Sequence, residues 1–67
     1  MQPELADAAR KIHAALERDA QKERDVEMIM IADCVRDKSA MPDHAWQRRH
    51  VAEEKARAAW RLVEALA

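Results

Sequence analysis

The sequence contains no glycine, and its only prolines are Pro3 and Pro42. Glycine and proline are the residues that most often end helices and make turns. A chain with neither of them from residue 4 to residue 41 has little reason to leave a helix once it has entered one. The remaining composition agrees. Ala, Glu, Arg, Lys, Leu and Met dominate, all good helix formers. Phe and Tyr are missing and Ile and Val are sparse, so the side chains that favour a sheet are scarce. Pro3 suits the first turn of a helix, where Glu4 and Asp7 complement the helix dipole. Arg36 and Lys38 suit a C-terminus, SAMPD (39–43) reads as a turn, and Asp43 is placed to cap a second helix. The expected fold is all-α, a single domain over residues 1–67. One helix covers about 3–38, a turn 39–42 and a second helix about 43–66, folded back as an antiparallel two-helix hairpin. Asp19 or Asp25 offers an alternative cap, which would break the first helix in two.

Size limits what such a hairpin does alone. Of 67 residues 49% are apolar, but 15 residues are alanine, and small scaffolds usually need a staple beyond their own core. The single cysteine, Cys34, has no partner for an internal disulfide and fits a reducing compartment. Oligomerisation is the staple that remains. The opening residues MQPELADAARK lack the apolar run of a signal peptide, and no stretch approaches the ~20 apolar residues of a membrane span. A cytoplasmic protein with no membrane partner is expected.

Two patterns point to a second copy of the chain. If the hairpin turns near residue 40, Ala67 falls opposite Ala14, and Leu5, Ala8, Ala9 and Ile12 project beyond the second helix. Yet Leu5, Ala9, Ile12 and Leu16 follow the 4-3-4 spacing of an apolar helix stripe. Further on, VEMIMIADCV (26–35) is apolar on nearly every side of a helix, directly after the charged run ERDAQKERD (17–25). A helix apolar all round is buried all round. The second helix, through Ala45, Ala52, Ala56, Ala59, Val63 and Leu66, covers one side only. The other side is expected to meet a second protomer, with Leu5, Ile12, Leu16, Met28 and Ile29 in the dimer interface of a four-helix arrangement.

Chemical motifs are scarce. His44 and His50 lie on different helix faces, and His13 with Glu17 is a single i, i+4 pair. Cys34 and His44 meeting across the turn would supply two ligands where a structural zinc site takes four. Ser39 and Cys34 have no evident base, and there is no glycine-rich loop for phosphate. No metal, cofactor or catalytic residue is expected, and the chain is read as a non-enzyme. Arg48, Arg49, His50, Lys55, Arg57 and Arg61 give the second helix a basic side, the basis of an alternative reading as a small nucleic-acid-binding transcription regulator. Glu53, Glu54 and Glu64 interrupt that side, and the net charge is −1. Trp46 is expected in the core beside Ile31 and Val35. Trp60 is expected opposite the charged run ERDAQKERD, either in the core or, with Arg57, Arg61 and Arg49, as the anchor for a partner protein.

From ELADAARKIHAALERD (4–19) through EEKARAAWRLVEALA (53–67), the chain resembles the small helical accessory proteins of bacteriophages that infect high-GC hosts. Within that group it is similar to the Pseudomonas phage quorum-sensing anti-activator family. The resemblance implies a dimer of helical hairpins that binds host proteins such as a LuxR-type regulator or a type IV pilus assembly ATPase. The implied mechanism is inhibition by occlusion of a working surface.

Overall fold

A computed structural model of the chain describes residues 3–67, apart from the side chain of Ala45. Helix α1 runs Pro3–Asp37 and helix α2 Ala45–Leu66. The two pack against each other in an all-helical hairpin with no strand among the described residues. Helix α1 passes Asp19 and Asp25 without a break.

α1 ends in a Schellman motif. Ser39 N–H donates to the Cys34 carbonyl at 2.9 Å, and Lys38 N–H to the Val35 carbonyl at 3.3 Å. The residue that must turn left-handed is Lys38, at φ 56°. In a chain without glycine, a lysine takes a position where Cβ costs about 1 kcal/mol. α2 starts later than the sequence suggests. Its N-cap residue is His44, helical in its own torsions and making no side-chain cap. Asp43, the expected cap, is one residue too early to reach the first free N–H groups.

The link between the helices sets their register. Residues 39–42 are non-helical, and extended chain advances about 3.3 Å per residue against 1.5 Å in a helix. The link therefore runs back along the end of α1, where the Cys34 thiol meets the Ala40 carbonyl at 3.8 Å. His13 lies against Trp60 with the rings tilted, and seven residues further along each helix Ala6 comes level with Ala67. This corrects the expected overhang: Ala6 and Ala9 are buried, so α2 reaches the start of α1. The 4-3-4 stripe is also divided. Ala9 lies in the helix–helix seam and Leu16 is half-buried at its edge, while Leu5 and Ile12 are exposed.

Alanines make the closest contacts of the seam. On α1 the residues turned toward α2 are Ala6, Ala9, His13, Leu16, Ala20, Glu23, Glu27, Met30 and Cys34, all buried or half-buried. They follow an unbroken 3-4 spacing, the period of a left-handed supercoil. On α2 Arg49, Ala52, Ala56, Ala59, Val63 and Leu66 do the same. Ala20 at 0% exposure and Ala56 at 1% mark the tightest point. The charged run around Ala20 is thus at the middle of the hairpin, anchored by its one alanine.

Two outcomes follow from these geometries. Ala20→Leu should destabilise the hairpin by about 1–3 kcal/mol through overpacking, whereas Ala32→Leu on the exposed side should leave stability nearly unchanged; urea unfolding of the two variants compares them. Lys38→Gly should raise stability by about 1 kcal/mol by relieving the left-handed lysine, read in the same assay.

Candidate functional site

A seam of alanines leaves the larger apolar residues outside. Leu5, Ile12, Val26, Met28, Ile29, Ile31 and Val35 of α1 are exposed, and so are Trp46, Val51, Trp60 and Leu62 of α2. No large side chain is fully buried anywhere in the described structure. The accessible surface is 5169 Å², where a compact monomer of this mass shows about 4,300 Å². The molecule measures 54 × 15 × 11 Å, a flat rod with two broad sides.

The two sides differ. On the first, Leu5, Ala8, Ile12, Ala15, Val26 and Ile29 project from α1, joined by Val51 and Leu62 from α2. An open groove of about 530 Å³ lies along this side. Leu16, Glu23 and Ala52 lie along its seam, and Asp19, Lys22, Arg48, Val51 and Lys55 belong to its walls. Arg48 bridges it to Glu23 at 3.3 Å. The second side carries the aromatic residues. Trp60 lies with its ring 5.0 Å from His13, and Trp46 meets His50 edge-on at 5.8 Å.

Where VEMIMIADCV faces α2, the seam becomes ionic. Arg49 reaches Glu27 across the seam and Glu53 on its own helix, the latter at 3.1 Å. Arg24 stands 3.5 Å from Glu53 on the second side. The hydrogen bond from Arg49 holds the Glu53 carboxyl below the ordinary carboxylate range, partly opposed by burial and helped by the charges of Arg49 and Arg24. The same bond, with a second to Glu27, raises Arg49. These pairs satisfy charges that the seam would otherwise strand, and they leave Val26, Met28, Ile29, Ile31 and Val35 without cover from α2.

The residues expected to act together are therefore distributed. Leu5, Ile12 and Ile29 share the first side with Leu16 at the groove edge, but Met28, 65% exposed, lies away from them. Trp60 lies against His13 with the rings tilted, short of the charged run it was expected to oppose. Trp46, expected in the core, is 49% exposed, because α2 begins at Ala45 and its first turn lies beside the link. Arg49 is committed to the seam rather than to a surface patch with Trp60. Arg57 is exposed and paired with Glu54, and Arg61 is exposed. Among the described residues no three metal-ligating groups converge, and no helix is long and apolar enough to cross a membrane. Val51 and Leu62 are exposed without having been expected in an interface, while Val26 belongs to the stretch expected to meet a second protomer and to a second 3-4 series beginning at Leu5.

Among known protein families, curated proteins and solved structures, none matches this chain.

Because Glu53 is lowered in the folded state, its contribution to stability is present above the ordinary carboxylate range and is lost as pH falls through the folded value. Urea unfolding between pH 7 and pH 3 should show stability falling at the acid end. Glu53→Gln should flatten part of that fall, and Arg49→Ala should also flatten part of it while lowering stability at pH 7.

Proposed function

We propose that this chain is a non-enzymatic protein-binding module that acts as a homodimer and inhibits a host protein by covering its working surface. The observation that carries this reading is the inversion of the hairpin. Alanines fill the seam, and the side chains large enough to bind tightly, among them both tryptophans, stand outside. Exposed apolar area on this scale in a small protein marks an interaction surface, and aromatic residues are the usual anchors of one. The likeness to small phage accessory proteins supports the inhibitor role, with a transcription regulator or an assembly ATPase as the kind of target and the host cytoplasm as the setting.

The basic side of α2 supports nucleic-acid binding less well. Arg48, Arg49 and Arg57 each have a carboxylate partner within the chain, which reduces the charge left for phosphate contacts.

Affinity capture from nuclease-treated bacterial lysate tests the reading. One host protein retained in stoichiometric amount, and lost with Trp60→Ala, is the expected result. Nucleic acid recovered from an untreated column, with no protein retained, would overturn it in favour of the regulator. For the homodimer, Ile29→Asp should convert a sedimenting dimer to monomer with helix content preserved, and Leu16→Asp should do the same at some cost in stability. Parent-like sedimentation of Ile29→Asp would misplace the interface.

A further inference from the structure

The first side of α1 carries a stripe distinct from the seam: Leu5, Ala8, Ile12, Ala15, Asp19, Lys22, Val26, Ile29, Asp33 and Arg36, again in 3-4 spacing. About the point between Asp19 and Lys22 its inner three pairs match in kind, acid with base and then apolar with apolar twice, while the outer pairs set Ala8 with Asp33 and Leu5 with Arg36. We infer that this stripe seats a second copy of the chain, α1 against α1 in antiparallel alignment, with the two-fold axis passing between Asp19 and Lys22. The inference rests on the homodimer reading above and gives it an orientation and a register.

The pairings decide the register. In this alignment Ile12 meets the partner's Ile29, Ala15 meets the partner's Val26, and Asp19 meets the partner's Lys22, each twice by symmetry. Shifting by one heptad sets Ile12 against the partner's Lys22 in one direction and against the partner's Arg36 in the other. A parallel in-register alignment sets Asp19 against the partner's Asp19 and Lys22 against the partner's Lys22. Only the antiparallel register centred between these two residues matches apolar with apolar and acid with base at the central positions.

The monomer leaves the two charges available for this. Asp19 and Lys22 take part in none of the ion pairs among the described residues, although they belong to the walls of one groove. Asp33, further along the stripe, is held by Arg36 at 3.2 Å. A two-fold axis across the helices also stacks α2 on α2, bringing Val51 and Leu62 to the same contact. Trp46 and Trp60 stay on the uncovered side, available to a different protein.

The test is a charge exchange read by sedimentation, using full-length chains. Asp19→Lys and Lys22→Asp, each alone, should weaken self-association by at least about tenfold, because like charges then face each other. An equimolar mixture of the two variants should restore the dimer as a heterodimer. Orientation is read separately in chains carrying Cys34→Ser. Ala15→Cys and Val26→Cys chains should form an intermolecular disulfide when mixed and not when oxidised singly. Self-linking of each single-cysteine chain would establish a parallel dimer and overturn the proposal. A parent that sediments as a dimer, with no restoration on mixing, would overturn this register and leave the homodimer intact. A parent that stays monomeric at all concentrations would overturn both.

Discussion

The close approach of two alanine-rich helix faces is the constraint from which the rest of the molecule follows. Helix axes pack about 8–10 Å apart depending on the side chains between them, and alanine places a pair at the near end of that range. At such a distance a larger side chain in the seam, such as Leu16 or Leu66, is only half-buried. Ala20 and Ala56 hold this contact at its centre, Ala9 and Ala59 nearer the open end. Larger apolar residues are displaced to the flanks, so the intimacy of the hairpin and the greasiness of its surface have a single cause.

The same constraint explains the ionic end of the seam. Beyond Ala52, α2 supplies Arg49 rather than another alanine, and α1 answers with Glu23 and Glu27. A long, paired, partly exposed side chain spans a wider gap than alanine and keeps its charge near water. Pairs of this kind add little stability each, but they fix register, because sliding by a turn would separate Arg49 from Glu27. The link then finishes what the pairs begin. It carries the chain back beside Cys34 and sets Ala6 level with the end of α2.

For function, the consequence is two unlike sides on one thin body. The first repeats a heptad that α2 does not use and carries opposite charges at its centre. The second displays the aromatic residues against histidines. On the proposed reading the two surfaces are separable, one for a second copy of the chain and one for a different protein. That division would let a very small chain dimerise without hiding the residues that recognise a target.

Helicity, the hairpin and the place of the turn were all legible in the residues, because missing glycine and proline act locally and need no knowledge of distant contacts. So were several of the seam residues, since Ala52, Ala56, Ala59, Val63 and Leu66 show their period directly. Which face of α1 they would meet was not. Two overlapping 3-4 series run along that helix one position apart, beginning at Leu5 and Ala6, and local pattern favours the one with larger side chains. Tertiary packing chose the other, because only the alanine series lets two helices approach closely while Glu27 reaches Arg49. The register likewise waited on the path of the link beside Cys34. The exposure of Trp46 and the commitment of Arg49 to the seam then followed from where α2 begins.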